Sequence, residues 1–372
     1  MGGKPDGQKT GGAAGDSGCG CGGADMERLY AKGHLADTDM VYPDVSGMDG
    51  KRGVRMDVIR MSGGIGNQMF QYALYLKLRS LGKEVKFDDV TEYALDNARP
   101  VMLWVFGIDY PKVTRQELVE LTDSAMDLGS RLRRKMFGRK SAEYHEKSVD
   151  YDEDVLKKEN AYLCGCFQSE RYFKDIEDTV REAYRFRKDA VPERMKALVK
   201  EYEGQIRDSM AVSVHVRRGD YLDAAQVYGG ICTEAYYDGA VDYMLERYPE
   251  ACFFVFSNDG EWTEEWCRKK ERESVSGGKV QEGKKRFVAV KGTTEESGYI
   301  DLMLMSKCRH HIIANSSFSW WGAWLNPAAD KCVVAPVKWL NTCECRDVFT
   351  AEMVRVDAEG TVINSELDKE LS

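Results

Sequence analysis

Short runs of β-branched and aromatic residues alternate with longer amphipathic stretches along most of this chain, and that rhythm admits few folds. Strands separated by helices of about ten to fifteen residues wind into a parallel sheet covered on both faces. A first unit reads as strand 54–60, glycine turn 61–66, helix 67–81 and strand 85–87. The helix carries Met69, Phe70, Ala73, Leu74, Leu78 and Leu81 at 3.6-residue spacing, and Gly82 ends it. A second unit reads as strand 211–216, helix 233–248 with Thr233 as its N-cap, strand 252–256, helix 261–270 and strand 287–290. It continues through helix 298–306, strand 311–314, short helix 319–325 and a last strand at 332–336. Between the units, 96–205 is poor in strand signals, with helices expected at 117–128 and 173–186. The expected organisation is a tail over 1–54, an α/β domain over 55–204 and a Rossmann-like domain over 205–372, with a cleft between the two domains.

Composition narrows the function class. Residues 2–24 hold ten glycines and no large apolar side chain, so ordering them costs backbone entropy with little burial in return. The chain has 53 basic and 62 acidic residues, a net charge of -9, which argues against a nucleic-acid partner. One local exception is the run 131–140, RLRRKMFGRK, with six Lys/Arg in ten residues. We read it as a solvated helix face, with contact at an anionic membrane surface or a nucleic acid as the alternative. Apolar runs reach six residues, as at 101–106, whereas a spanning helix needs about 20. No apolar segment follows Met1, so a cytoplasmic location is expected, with the inner face of the membrane as its other option. The eleven cysteines include three CxC pairs (Cys19/Cys21, Cys164/Cys166 and Cys343/Cys345), a spacing tighter than zinc sites use. Reduced, structural thiols are expected, with no metal and no catalytic cysteine.

Four polar clusters fall directly after expected strands, where open α/β sheets bind their ligands. In the first, Gly63, Gly64 and Gly66 let backbone approach a ligand, and Asn67 opens a helix whose N-terminus suits phosphate or a sugar hydroxyl. It is neither a full dinucleotide fingerprint, since Met69 stands where the third glycine belongs, nor a P-loop. The second, His215-Val216-Arg217-Arg218-Gly219-Asp220-Tyr221, sets two guanidinium groups at one sheet rim, a donor set fitted to a diphosphate. Successive strand residues point to opposite sides, so one arginine can clamp phosphate while the other braces Asp220 or a neighbouring loop. The third, Ser257, Asn258 and Asp259, offers a carboxylate acceptor for guanine or, equally, a helix cap before Glu261. The fourth, Asn315, Ser316, Ser317 and Phe318, leads into Trp320 and Trp321, which are expected to pack.

With these residues in view, GGIGNQMFQYA at 63–73, HVRRGDY at 215–221, FSND at 256–259 and ANSSFSWWGAWLNP at 314–327 resemble the bacterial α-1,2-fucosyltransferases. Through the HxRRxD-type motif they are similar to the wider α-1,2/α-1,6/protein O-fucosyltransferase group. The resemblance runs from near Arg55 to near Leu340 and leaves 1–54 unaccounted for. It implies a GT-B-like fold of two Rossmann-like domains facing a cleft, the first on the acceptor side, the second holding GDP-β-L-fucose. It further implies inverting transfer of fucose, without a required metal, to the 2-hydroxyl of a terminal galactose on an oligosaccharide or glycolipid. On that pattern Arg217 contacts the donor pyrophosphate, His215 and Asp259 recognise guanosine, and Ser316 and Ser317 lie near the phosphates. Physical chemistry agrees, since cationic side chains and helix N-termini can stabilise a departing diphosphate. An inverting transfer also needs a base for the acceptor hydroxyl, and Asp220 is the first candidate. DxD spacings at Asp37/Asp39, Asp150/Asp152 and Asp152/Asp154 are read as solvated acidic segments. Two other readings stand beside this one: a GT-B enzyme using a different nucleotide sugar, and a non-catalytic glycan-binding protein on the same fold.

Overall fold

The computed structural model describes residues 56–93, 99–140, 142–219, 221, 224–276 and 285–363; the expected tail over 1–54, Cys19/Cys21, Asp37/Asp39 and Asp220 lie outside them. The first unit runs β1 (Asp57–Arg60), α1 (Ile65–Ser80), β2 (Val85–Asp88), α2 (Arg115–Leu121), α3 (Leu128–Phe137), β3 (Glu143–His145), α4 (Glu153–Lys157), β4 (Tyr162–Cys164) and α5 (Glu177–Ala183). The second runs α6 (Glu193–Arg207), β5 (Met210–Val216), α7 (Ala225–Tyr228), α8 (Glu234–Arg247), β6 (Ala251–Ser257), α9 (Gly260–Ser276) and β7 (Phe287–Ala289). It closes with α10 (Tyr299–Met305), β8 (His310–Ile312), α11 (Ser317–Leu325), β9 (Val333–Pro336), β10 (Met353–Val356) and β11 (Val362–Ile363).

The strands form two sheets, ordered β2-β1-β4-β3 and β11-β10-β9-β8-β5-β6-β7. Every strand pairing is parallel except the β10–β11 hairpin. This is the α/β, GT-B-like class expected from the sequence. Each sheet has a place where the chain reverses its direction of progress. In the second sheet the chain leaves β5 for β6 and β7, then returns to lay β8 against the opposite side of β5. In the first, β2 and β4 flank β1 in the same manner. Crevices for ligands open at such switch points, beyond the strand C-termini.

Aromatic packing joins the two units. Trp320 and Trp321 are fully buried, and the Phe70 ring lies 4.7 Å and 4.8 Å from theirs. Phe173 stacks on Trp321 at 5.5 Å, so α1 and the segment before α5 clasp α11 between them. Each such ring removes roughly 150–250 Å² from water, which makes this junction core and not a hinge surface. The expectation that the tryptophans pack is met.

Several elements differ from the sequence reading. The expected helix 117–128 is two helices, α2 and α3, parted by a turn in which Asp123 takes a positive φ of 51°. Asp123 anchors that turn by accepting from Arg133 and from the Lys140 backbone N–H. Helix α1 starts at Ile65, so Gly66 and Asn67 belong to its first turn. Strands β3, β4, β10 and β11 and helices α4 and α6 were not anticipated. Thr233 caps α8 as expected, accepting from the Tyr236 N–H at 3.1 Å. The acidic segment at 150–154 is not simply solvated. Asp150 accepts from the backbone N–H of Arg346 at 2.5 Å and of Asp347 at 3.0 Å, and Asp152 caps α4. All nine described cysteines are free thiols.

Candidate active site

The rim of β5 is built as the alternation of a strand requires. Val212, Val214 and Val216 are buried on one side of the sheet, and His215, on the other, packs against Phe318 at 5.3 Å between ring centroids. Beyond the strand the two arginines part. The Arg218 Nε donates to Asp259 at 3.1 Å, its backbone N–H donates to the Asn258 side-chain Oδ1 at 3.0 Å, and its guanidinium lies 4.9 Å from the Trp262 ring centroid. Arg217 takes the other direction, its guanidinium 5.6 Å from the Tyr221 ring. Tyr221 stacks on Tyr228 at 4.0 Å and donates from its hydroxyl to the Asn315 carbonyl at 2.9 Å.

These groups border a cavity of about 150 Å³ whose walls include Arg217, Arg218, Tyr221, Tyr228, Trp262 and Asn315. Arg217 follows β5 and Asn315 follows β8, so the cavity opens at the switch point of the second sheet. Cys232 also lines it, but burial pushes that thiol up to about 12, which leaves it protonated and no nucleophile.

The first unit meets this site through its own switch point. Asn67, after β1, accepts on Oδ1 from Gln168, after β4, at 2.9 Å, and from the Ser317 hydroxyl, after β8, at 2.7 Å. The Trp321 indole N–H donates to the Gly66 carbonyl at 3.0 Å, and that of Trp339 donates to Gln168 at 2.7 Å. A methyl group on Gly66 would stand 2.6 Å from the Phe318 nitrogen and 2.7 Å from the Ser317 hydroxyl. Glycine is there because two helix N-termini, those of α1 and α11, abut. Each contributes about half a positive charge to this junction. Arg99 adds a full charge at the same seam: a methyl on Gly64 would lie 3.1 Å from its guanidinium, and it pairs with Glu295 at 2.9 Å.

Several expected ligand residues are occupied within the protein. The Asp259 carboxylate accepts from Arg218 and caps α9 through the Trp262 N–H at 3.1 Å, and Ser257 accepts from the Asp259 N–H at 3.0 Å. The third cluster therefore builds a braced helix start, with each Asp259 oxygen already accepting one bond within the protein. The Asn315 side chain is likewise engaged, donating to the Trp339 carbonyl at 3.0 Å. Ser316 precedes α11 with its side chain making no cap bond, and the Ser319 hydroxyl donates to its carbonyl at 3.3 Å. Gly63, at φ 71°, makes the turn that returns the chain into α1. Its carbonyl accepts from buried Gln68 at 2.9 Å, and buried Gln71 accepts from the Ser62 N–H at 3.0 Å.

Sequence reasoning missed Arg99, Gln168 and Trp339. Gln168 carried a usable signal, a polar residue soon after the apolar run YLC. Another missed group is Asp301 in the first turn of α10, bonded to the Thr293 hydroxyl at 3.0 Å; burial pushes its carboxyl up to about 7.

Residues 140–353 match glycosyl transferase family 11. An Escherichia coli alpha-1,2-colitosyltransferase is 33% identical over 309 residues, covering 81% of this chain and 98% of that protein. The Escherichia coli O-antigen biosynthesis glycosyltransferase WbnK is 31% identical, over 75% of this chain and 93% of its own length. A galactoside alpha-(1,2)-fucosyltransferase 1 from Bos taurus is 27% identical, over 71% and 64%. On the family match and the first of these relatives, the chain belongs to glycosyl transferase family 11 and is a glycosyltransferase.

Proposed function

We propose that the protein transfers L-fucose from GDP-β-L-fucose, with inversion, to the 2-hydroxyl of a terminal galactose in an oligosaccharide or glycolipid. The observation that carries this reading is Arg217 at the β5–β8 switch point, on the wall of the cavity that opens there. Glycosidic cleavage leaves a diphosphate that gains negative charge as the bond breaks. A planar guanidinium can bind two of its oxygens at once, and the helix N-termini can add their partial positive charge. These cationic groups neutralise the leaving group themselves, so transfer proceeds without a metal. In this reading His215 and Phe318, packed together behind the β5 rim, serve the nucleoside. The acceptor hydroxyl attacks from the opposite face of the sugar, and Asp220 takes its proton as general base. One carbon changes partners in a single step: the bond from the galactose 2-oxygen to fucosyl C1 forms as the bond from C1 to the GDP oxygen breaks, and the hydroxyl proton goes to the base.

The similarity to an alpha-1,2-colitosyltransferase supports a second donor, since colitose is fucose without its 3-hydroxyl. Titration calorimetry with GDP, UDP and ADP, followed by turnover of GDP-fucose and GDP-colitose in EDTA, tests the reading. GDP should bind tightest and GDP-fucose should turn over with the chelator present. Equal affinity for the three diphosphates contradicts the donor class. Activity that returns only with Mn²⁺ or Mg²⁺ contradicts the metal-free step.

A further inference from the structure

Helix α3 presents an apolar stripe to solvent. Leu128, Leu132 and Met136 recur every fourth residue and are 82%, 58% and 60% exposed, with Phe137 at 74% and Met126, just before the helix, at 77%. No residue of α3 is buried. An ordinary solvated helix turns its apolar residues inward, and this one turns them out. The charges are sorted in the same sense. Arg133 pairs with Asp123, and Arg134 donates to the Asp123 and Ala125 carbonyls, at 3.0 Å to the first, so those two arginines fasten the helix to the turn beneath it. The side chains of Arg131, Lys135, Arg139 and Lys140 form no ion pair with the described residues and flank the stripe. Against these four stands Asp127, spent on capping the helix through the Ser130 N–H at 2.9 Å.

We propose that α3 is an interfacial anchor that lays this face on an anionic lipid bilayer. An exposed Leu/Met/Phe stripe edged by unpaired Lys and Arg matches both layers of such a surface: acyl chains take the stripe, and headgroup phosphates take the cations. A nucleic acid would need the cations alone and leaves the apolar stripe unexplained. The sequence reading of 131–140 as a solvated face is replaced by this one. The helix lies just before β3, the edge strand of the first sheet, and none of its residues lines the cavity at Arg217.

Cosedimentation of the full chain tests the proposal, using phosphatidylcholine vesicles with and without phosphatidylglycerol. The chain should pellet with the anionic vesicles and release in high salt. Leu132→Ser/Met136→Ser and Arg131→Gln/Lys135→Gln should each lower the partition coefficient roughly tenfold or more. Both should keep the melting temperature and the activity on a soluble acceptor. Pelleting no better than without vesicles, or unchanged by both pairs of substitutions, overturns the proposal. So does a dimer that Leu132→Ser/Met136→Ser dissociates without any vesicle binding, or duplex RNA binding that survives the apolar substitutions while vesicles are ignored.

Discussion

Arg217 and Arg218 are neighbours with different work. Arg218 is engaged by Asp259, Asn258 and Trp262, whereas Arg217 turns to the cavity and the tyrosine stack. Replacing Arg217 with Lys keeps the charge and loses the paired geometry. Turnover should fall about 10²–10³-fold, the size of losing one preorganised donor to a developing anion, with the melting temperature unchanged. Arg217→Ala should cost more, and a folded Arg217→Ala enzyme of near-normal turnover removes this residue from the mechanism. Asp259→Ala should behave oppositely, losing about 1 kcal/mol of stability with the cap while GDP remains preferred over UDP; a calorimetric loss of that preference restores guanine recognition to Asp259. Asp301 gives a pH signature. Its carboxyl titrates at about 7 in the fold and about 4 when unfolded, so the folded form keeps a proton that the unfolded chain has lost. Its contribution is therefore full below about pH 4 and falls away as pH rises to 7. Asp301→Asn should raise the melting temperature at pH 8 and leave it unchanged at pH 4. Equal destabilisation at both would contradict this titration of Asp301.

At the scale of elements, the abutting helix N-termini offer a direct test of packing. Gly66→Ala would ordinarily gain helix propensity of about 1 kcal/mol. Here the added methyl meets backbone atoms at 2.6 Å, closer than carbon contacts tolerate, so overpacking of about 1–3 kcal/mol wins and the melting temperature should fall. An unchanged or raised melting point would mean that the helices separate at no cost. From β5 to β9 the strands of the second unit and the helix α8 were legible because their apolar runs are long and the cap explicit, as at Thr233. Those of the middle were not. Strands β3 and β4 have three residues each, too few for a period to register, and α6 begins without a side-chain cap. The glycine cluster was legible as a site of close approach. That the approaching group is the backbone of Ser317 and Phe318, some 250 residues away, depends on tertiary packing that no local pattern encodes. The double-arginine rim could be placed for the same reason that strands could, while the division of labour between its arginines hangs on Asp259 and Trp262, which only the fold brings near.

At the scale of the whole molecule, two parallel sheets turn their switch points toward each other and share one aromatic core. Residues from both, Phe70 and Phe173 on one side and Trp320 and Trp321 on the other, are fully buried in that core. The two units are thus held in register by the same side chains that stabilise the fold. Among the described residues no helix is long and apolar enough to cross a membrane. The central claim concerns the bond that is made, and one measurement reads it directly: NMR of the product after incubating the purified chain with GDP-β-L-fucose and a panel of β-galactosides. The account predicts a single new fucosyl residue in the α configuration on the 2-oxygen of the terminal galactose. A β linkage, attachment at another hydroxyl, or hydrolysis of the donor with no glycoside formed would contradict it.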